Sequence, residues 1–496
     1  MEIRNFTPRP YQLKIVRTCG AQNTLVVIPT GLGKTKIAIL AAKERLDREE
    51  GFILVLTPTR PLANQIKNEF IECSNLTKEE VILLTGLINP DKRAEYYKRA
   101  KIIIATPQTI KEDVEHGRVS LRGCVLLVID EAHRSREHFA NTIVARQYEE
   151  QGIKKRIVAL TASPGSTKEK INEICKNLFV EAVEIRSEED ADVREFVQEK
   201  RIEYIKVIFP DALKAIHKMV NEVYNGKVIG LRGFGMTKPA QYVNKKDLIL
   251  MQLRLRKDAQ RNPAAYYGIS LVAQALKLSF ALEMLETQGI RPFIDFLEKL
   301  KTEETKAAKN ISHDPDVMRA IDQARKMQQA GMEHPKVDEL TRQVAKQILE
   351  KADARIIIFA SYRNTVDAIV AGLNMQGTKT IRLIGQKEGQ SQKEQIESIQ
   401  AFSRGEYNCL VTTNIGEEGL SIGEADTAIF YDNTASGIRK IQRSGRVGRL
   451  KSGKIIFMIT QGTRDEAYFW KSKKDEAKMK NILYNMQDKN AKLDIK

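Results

Sequence analysis

The sequence is short of cysteine, of long apolar runs and of acidic residues, and the first two shortages each exclude a class of protein. Five cysteines are scattered through 496 residues without a CxxC pair, so neither a disulfide framework nor a zinc site is expected. The longest apolar runs, such as 125–129, are strand-sized, whereas a membrane span needs about 20 apolar residues. The charged amino terminus does not resemble a signal peptide. We therefore expect a cytoplasmic protein that has no membrane partner.

Acidic residues are the minority among the charged ones. Asp and Glu number 64 against 81 Lys and Arg, so the formal net charge is +17. An apolar fraction of 42% is nevertheless enough to build packed cores, which excludes disorder throughout the chain. Strongly basic proteins usually bind a polyanion, most often nucleic acid or an anionic membrane. The length predicts about two to four domains.

Short apolar runs alternate with helix-like stretches up to about residue 185, and again from about residue 355. These runs are β-branched or leucine-rich and too short for helices, which is typical of parallel strands buried on both faces. Between the two regions, apolar residues recur at the spacing of one helix face: Leu271, Ala275, Leu278, Leu282 and Leu285. The predicted fold class is α/β, with two parallel-sheet domains and an α-helical insert between them. The predicted bounds are 1–195 for the first domain, 196–335 for the insert, and 336–496 for the second domain with a helical tail.

One segment of the insert, residues 226–262, is strongly basic. It holds nine basic residues against only Asp247 and Asp258, in an expected glycine-containing loop beside Phe234 and Tyr242. Basic side chains among aromatic ones favour a surface that binds phosphates. A solvated charged face is the alternative interpretation. Lys245 and Lys246 represent the predicted nucleic acid surface.

A glycine-containing loop follows the first apolar run. Residues 29–35 read Pro-Thr-Gly-Leu-Gly-Lys-Thr, and a strand, such a loop and a Lys-Thr pair opening a helix make the P-loop layout. Backbone N–H groups would hold the β-phosphate of ATP, Lys34 would reach the β- and γ-phosphates, and Thr35 would bind Mg²⁺. Ile28 stands where such loops usually have their first glycine. The predicted nucleotide-binding residues of the loop are Thr30, Gly31, Gly33, Lys34 and Thr35.

Residues 130–133, Asp-Glu-Ala-His, end another apolar run. A carboxylate at the carboxyl end of a buried strand lies where open α/β sheets carry out their chemistry. We expect Asp130 to hold Mg²⁺ through its water shell and Glu131 to orient and activate the attacking water. A lone aspartate at a strand end is often only part of a turn, but this tetrapeptide lies downstream of a P-loop.

The second α/β region offers positive charge for phosphoryl transfer, in residues 442–449. Arg446 and Arg449 are three residues apart, so a helix would present both on one face. Arginine fingers accelerate such reactions by about 10³–10⁵-fold. With Gln442, these arginines would complete the catalytic set, and hydrolysis would then require the two domains to close.

Together these motifs resemble those of superfamily 2 DEAH helicases, and the motif series is complete and in order. By this resemblance Arg9 and Gln12 read the adenine, and Gly419 belongs to the nucleotide site. The resemblance also implies that further residues grip nucleic acid or couple it to hydrolysis: Thr57, Arg60, Thr85, Gly86, Thr106, His133, Thr161, Ser163, Arg363, Gln386 and Thr412.

Residues 282–289 and 334–336 narrow the resemblance to the helicase part of archaeal Hef and the related Fanconi anaemia M-type translocases. Dicer and the double-stranded RNA receptors are more distant relatives. The resemblance implies two RecA-like domains with ATP and Mg²⁺ in their cleft, and a thumb-like insert for branched DNA. No XPF-type nuclease motif is found, so we expect a helicase-only form whose nuclease, or a sliding clamp, is a separate partner. Ser421 replaces an Asp of the family motif.

Three functions stay open at this point. The preferred one is an ATP-dependent DNA helicase or translocase that acts on forks and Holliday-type junctions during replication-fork repair, on the nucleoid of a prokaryote. The second is an ATPase that depends on RNA or double-stranded RNA, because the core motifs contact phosphate and sugar and do not separate the two polymers. The third is a junction-binding scaffold without useful turnover.

Overall fold

Two parallel sheets and a helical bundle make up the described part of the chain, residues 1–197, 201–413, 425–433 and 453–488 of the computed structural model. The first sheet has the strand order β3-β4-β2-β5-β6-β1-β7, with every pairing parallel. Its strands are short and mostly buried on both faces. Their bounds are β1 Thr24–Val27, β2 Phe52–Leu56, β3 Val81–Leu84, β4 Ile102–Ala105, β5 Cys124–Ile129, β6 Ile157–Thr161 and β7 Ala182–Ile185.

Seven helices connect and cover these strands, and apolar side chains on both faces of the sheet form two core clusters. The helix bounds are α1 Pro10–Ala21, α2 Lys34–Arg48, α3 Arg60–Glu72, α4 Pro90–Tyr97, α5 Pro107–Glu115, α6 Ala140–Gln151 and α7 Lys168–Asn177. Four of them have proline in the first turn, where its missing N–H costs nothing.

The second sheet is parallel as well, in the order β10-β11-β9-β12-β13-β8. The strand bounds are β8 Arg201–Val207, β9 Ile356–Phe359, β10 Thr380–Leu383, β11 Cys409–Thr412, β12 Thr427–Phe430 and β13 Lys454–Thr460. The helices of this domain are α14 Pro335–Glu350, α15 Arg363–Met375, α16 Gln392–Ser403 and α17 Arg464–Asp488. The predicted α/β class, with two parallel-sheet domains and a helical insert, is confirmed.

Strand β8 corrects the predicted start of the insert at residue 196. It pairs with β13 along its whole length and so belongs to the second sheet. As the last strand of the described sheet it is open on one side, and Ile202 and Tyr204 are 48% and 44% exposed. An edge strand of this kind lacks the continuous apolar run that marks a buried parallel strand, so the sequence pattern did not reveal it.

The insert is a bundle of helices around α10, and its buried apolar residues form one cluster. The helix bounds are α8 Asp211–Gly230, α9 Lys245–Asp258, α10 Ala265–Thr287, α11 Ile290–Lys301, α12 Lys306–Ser312 and α13 Pro315–Gln329. By length and composition α10 could cross a membrane, although no such span was predicted. Because its core side chains are packed by the surrounding helices, its apolar character is explained by the bundle.

The basic segment 226–262 is largely helical, whereas a loop was predicted. It comprises the end of α8, two short 3₁₀ turns and the whole of α9. The Asn244 side chain caps α9 by accepting the backbone N–H groups of Lys246 and Asp247. Lys245 and Lys246 are exposed in the first turn of this helix.

A buried ion pair joins the start of α14, the first helix after the insert, to α17 of the second domain. Lys336 in α14 and Asp465 in α17 are fully buried, with Nζ 2.7 Å from Oδ2. Lys336 Nζ also donates to the carbonyl oxygen of Tyr431, at 2.7 Å. Asp465 in turn accepts the backbone N–H groups of Asn433 and Thr460. Removing one partner of such a pair leaves an uncompensated buried charge, at a cost of about 3–5 kcal/mol.

His334 lies fully buried beside this pair and caps α14, its Nδ1 accepting the backbone N–H of Lys336 at 3.2 Å. Burial, and then the charge of Lys336, lower the pKa of His334 from 6.5 to about 3. The ring is therefore neutral in the folded protein over the physiological range, and the unfolded chain takes up the proton first as the pH falls.

Acid should therefore destabilise the protein through His334. Since the folded pKa of about 3 lies below the ordinary value of 6.5, stability is lost as the pH falls below 6.5, by about 1.4 kcal/mol per pH unit. Thermal melts between pH 7.5 and 5 measure this loss. His334→Asn keeps an acceptor for the cap and does not titrate, so its Tm should fall less than that of the wild type. His138→Asn, at an exposed histidine, should follow the wild type; equal slopes for wild type and His334→Asn would contradict the prediction.

Candidate active site

The predicted site residues of the first domain lie where strands of the parallel sheet end. The P-loop follows β1, Asp130 follows β5, and Thr161 ends β6. These three strands are consecutive in the order β5-β6-β1. Backbone bonds continue beyond the strand ends, since Ile28 N donates to Thr161 O at 3.2 Å and Asp130 N to Leu56 O at 2.9 Å. The sheet thus gathers residues distant in sequence at its carboxyl edge.

Two side chains of helix α1 form hydrogen bonds with the P-loop. The Tyr11 hydroxyl and the Gln12 amide both donate to the carbonyl oxygen of Leu32, at 2.6 and 3.3 Å. Gln12 is 2% exposed, and its Oε1 accepts the backbone N–H of Arg9 at 3.0 Å. The Arg9 guanidinium lies 4.9 Å from the ring centre of Phe196. The two predicted adenine-reading residues are therefore packed next to the phosphate loop.

The geometry of this loop fits nucleotide phosphates. Gly31 and Gly33 have φ values of +89° and +80°, a left-handed conformation that glycine adopts without strain. Gly33 is the N-cap of α2, so Lys34 and Thr35 are its first helical residues. The first-turn N–H groups and the helix dipole would allow this end of α2 to bind an anion. A Cβ atom built at Gly31 would meet nothing within 4 Å, which leaves room for a ligand oxygen beside Thr30.

Two carboxylates follow β5, and one of them, Asp130, lies within electrostatic reach of Lys34. Asp130 is 8% exposed; burial, and then the charge of Glu131, raise its pKa, while Lys34 opposes the shift. The site therefore favours additional positive charge, because a cation would stabilise both ionised carboxylates. Glu131 has a φ of +50°, a left-handed conformation that is rare and costly for a residue other than glycine.

A short chain of polar contacts leads away from Glu131. His133 Nδ1 lies 3.4 Å from Glu131 Oε2 and 3.3 Å from Thr161 Oγ1. Thr161 Oγ1 in turn accepts the backbone N–H of Ser163 at 3.1 Å. The structure thus brings together the four residues assigned to water activation and coupling, although their roles stay predictions.

The carboxyl-terminal helix α17 also contacts this chain of polar residues, at Ser163, which sequence analysis did not anticipate. It begins in the second domain, and its Met479 Sδ accepts the Ser163 hydroxyl at 3.0 Å. Further along, the Tyr484 hydroxyl donates to Asp190 at 2.8 Å, and the Gln487 amide oxygen accepts the backbone N–H of Ile185 at 2.6 Å. The lysine-rich sequence of this tail has helical spacing, but its pattern does not indicate which domain the helix packs against.

The predicted strand-gripping residues of the first domain fall into two groups. Arg60 is exposed at the start of α3, and a Cβ built on Gly86 would lie 3.7 Å from its guanidinium. The other group is buried and shapes the edge of the sheet: Thr57, Thr85 and Thr106. Thr106 Oγ1 also bonds the hydroxyl of its neighbour Thr109, at 2.8 Å.

In the second domain, Arg363 and the turn that contains Gln386 lie close together. Arg363 opens α15, and its guanidinium packs near Gly389, in the turn that contains Gln386. Thr412 ends β11 and is fully buried. Sequence analysis missed Glu388, whose Oε2 accepts the Gly385 N–H at 2.8 Å and the Thr413 hydroxyl at 2.9 Å. Its capping spacing from Gly385 was the available signal.

Several predicted residues lie outside the described part of the chain. They are Gly419, Ser421, Gln442, Arg446 and Arg449. The described part of the predicted ATP site therefore lies in the first domain. It consists of a phosphate loop, a carboxylate pair and a chain of polar contacts on a parallel sheet. Fold and site together define a P-loop ATPase of the two-domain helicase class.

Comparisons with known proteins agree with this class. Three family descriptions match in order: "DEAD/DEAH box helicase" over residues 9–171, "Putative ATP-dependent RNA helicase, helical bundle" over 212–331, and "Helicase conserved C-terminal domain" over 336–451. The crystal structure of the Pyrococcus furiosus Hef helicase domain is 40% identical, with a TM-score of 0.73; the match covers 93% of this chain and 98% of that one.

Two curated relatives are similar along almost the whole chain. The "Putative ATP-dependent RNA helicase MJ1505" of Methanocaldococcus jannaschii is 41% identical, and the "ATP-dependent DNA helicase MPH1" of Pyricularia oryzae 32% identical, each over 96% of this chain. The chain spans only 61% and 45% of those two proteins. The chain belongs to the Hef-type family of superfamily 2 DEAD/DEAH-box helicases, which are ATP-dependent enzymes that act on nucleic acid.

Two glycine substitutions should separate backbone strain in the P-loop from a steric clash. Both Gly31→Ala and Gly33→Ala place an alanine at positive φ, at a cost of about 1–3 kcal/mol. Only at Gly33 does the new Cβ meet another group, the Gln12 amide at 2.6 Å. Gly33→Ala should therefore weaken ATP binding and lower Tm more than Gly31→Ala. Titration with a fluorescent ATP analogue and thermal melts measure both effects; equal losses would mean that the Gln12 contact does not matter.

Proposed function

We propose that this protein is an ATP-dependent DNA helicase or translocase that acts on branched DNA, such as forks and Holliday-type junctions, in the repair of replication forks. One observation carries the proposal: the exposed basic face of the insert belongs to a bundle that is bonded to the second motor domain. The similarity to Hef and MPH1 supports DNA as the polymer. We place this activity on nucleoid DNA in the cytoplasm.

The bonds between the insert and the second domain are buried or partly buried. The Gln288 amide donates to Asp432 Oδ2 at 2.9 Å, and its oxygen accepts the Thr365 hydroxyl at 2.8 Å. The carboxylate of Glu286 accepts the backbone N–H of Arg464 at 2.7 Å. Since these contacts join the end of α10 to three parts of the second domain, domain movement would carry the insert with it.

In the proposed reaction, each group of the first domain has one task. The P-loop and the amino terminus of α2 hold the phosphates, and Lys34 neutralises the β- and γ-phosphate oxygens. Thr35 and Asp130 would hold Mg²⁺, which supplies charge neutralisation at the transferring phosphate when bound. Glu131 orients the attacking water. The state of the nucleotide is transmitted to the nucleic acid surface through the polar contacts of His133, Thr161 and Ser163.

RNA is the second candidate polymer, because a specific observation favours it. The Methanocaldococcus relative and the helical-bundle description both carry the name of an RNA helicase. Backbone contacts do not distinguish the two polymers, whereas a 2′-hydroxyl contact would. The choice between DNA and RNA is therefore an experimental one.

Hydrolysis of ATP should be stimulated most strongly by forked DNA, and Lys34→Ala should abolish the stimulated rate, because Lys34 neutralises charge that develops on the phosphates. Steady-state rates are compared without polymer and with forked DNA, linear duplex DNA and duplex RNA at equal nucleotide concentration. Strongest stimulation by RNA would replace DNA with RNA as the substrate. Binding without stimulation by any polymer would contradict a motor function and favour a scaffold.

Charge reversal on α9 should weaken junction binding. Lys245→Glu/Lys246→Glu removes two phosphate contacts, so the slope of log K against log salt should become shallower by about 1–2, with basal hydrolysis unchanged. Acidic residues suit the first turn of a helix, so α9 should remain folded. Lys393→Glu, at an 88% exposed lysine in the first turn of α16, is the matched control. An unchanged slope in the double variant would make this face a solvated surface.

A further inference from the structure

A cavity of about 370 Å³ opens between helices α8, α10 and α12 of the insert. Its lining combines buried residues of the bundle with cationic and aromatic side chains: Lys227, Tyr267, Leu271, Gln274, Lys309 and His313. None of these residues belongs to the helicase motifs or to the predicted Lys245–Lys246 surface. The volume lies in the range of small-molecule sites, about 300–1,000 Å³.

The inner part of the cavity is buried and fixed. Leu271 and Gln274 are 5% and 2% exposed. The Gln274 amide donates to the carbonyl oxygen and the hydroxyl of Ser270, each at 3.3 Å, so a polar group is kept within an otherwise apolar bundle. Buried polar groups orient a ligand because they bond only in defined directions.

One wall of the cavity is aromatic. Tyr267 stands in the first turn of α10 and is 64% exposed. Its ring lies 6.3 Å from that of Phe234, centre to centre, with the planes inclined by 49°. Such an exposed ring, steadied by a second one, offers a face on which a nucleobase can stack at about 1–3 kcal/mol per base.

The other side carries cations. Lys309 is exposed, and its carbonyl oxygen contacts His313 Nδ1 at 2.7 Å, which fixes the imidazole at the rim. Lys227 Nζ lies 3.7 Å from Asp314 Oδ2, so its charge is partly offset. Lysine binds phosphate as a point charge without strict geometry. An aromatic face and an ammonium group in one cavity match the two ends of a nucleotide.

The cavity is continuous with the basic segment 226–262. Lys227 belongs to that segment, and Phe234, which contacts Tyr267, belongs to it as well. A strand bound at the Lys227 end of the basic segment would therefore pass the mouth of the cavity. This continuity favours a nucleotide within a polymer over an unrelated small anion.

We propose that this cavity accepts a single unpaired nucleotide of the bound strand, with its base on Tyr267 and its phosphate near Lys309. The inference rests on the proposed function, since it requires that the insert bind nucleic acid. It adds a specificity: the insert would distinguish a branch with an unpaired nucleotide from one in which all bases are paired, because a paired base cannot leave its stack without cost.

The test compares two adjacent tyrosines in the full chain. Tyr266 is 66% exposed, like Tyr267, but does not line the cavity, so Tyr266→Ala is the matched control. Affinity is measured by fluorescence anisotropy for a fork with unpaired nucleotides and for a fully paired four-way junction. Tyr267→Ala should weaken fork binding about tenfold and change junction binding less than twofold, whereas Tyr267→Phe and Tyr266→Ala should match the wild type.

A 2-aminopurine placed at the unpaired position gives a second, direct readout. Its fluorescence should be quenched by the wild type and by Tyr266→Ala, but not by Tyr267→Ala. Equal effects of the two tyrosine variants, or equal losses on both DNAs, would overturn the proposal. Competition with free AMP gives a third outcome. If AMP at low concentration abolishes the quenching, the cavity is a site for a free mononucleotide, and the proposal is overturned.

The two proposals fail in different ways. If ATP hydrolysis is not stimulated by any polymer but the tyrosine variants still differ on the fork, the motor function is wrong and the nucleotide site stands. If hydrolysis is stimulated by forks and the two variants behave alike, the motor function stands and this inference is wrong.

Discussion

Parallel pairing of the strands is the constraint on which the rest of this structure depends. In a parallel sheet the strands end at one edge, so loops far apart in sequence become neighbours there. The P-loop after β1, the carboxylates after β5 and Thr161 at the end of β6 meet for this reason. The same burial on both faces, together with the neighbouring Glu131 carboxylate, raises the pKa of Asp130. A cation bound with the nucleotide would stabilise the ionised carboxylates.

The second domain is tied to its surroundings by buried polar contacts. The pair Lys336–Asp465 joins α14 and α17 at the end of β12, and Gln288 joins α10 to the same region. Buried ion pairs add little net stability when compared with apolar packing, but losing one partner leaves an uncompensated buried charge. Buried bonds of Gln288 thus join this bundle to the second domain, and helix α17 continues from that domain to the first, where Met479 contacts Ser163.

Net charge alone does not make the insert a nucleic acid surface. Five of the nine basic residues in segment 226–262 stand on α9, while the cavity contributes an aromatic ring, a buried amide and two lysines. Electrostatic attraction to phosphates gives affinity without selectivity, and stacking in a bounded cavity gives selectivity for unpaired bases. The two surfaces together would let one bundle grip a branch and distinguish its structure.

The sequence by itself determined the fold class, the helix α10 and the spacing of the phosphate loop, because burial on both faces and helical periodicity leave local patterns. It wrongly assigned β8 to the insert, because an edge strand has no continuous apolar run. It also predicted a loop for the basic segment, whereas Asn244 caps a helix there, α9. Only the tertiary structure decided what the distant groups touch: Lys336 with Asp465, Met479 with Ser163, and Tyr267 with the cavity. Such contacts join segments whose separation in sequence leaves no periodic signal, so they exist only once the chain has packed.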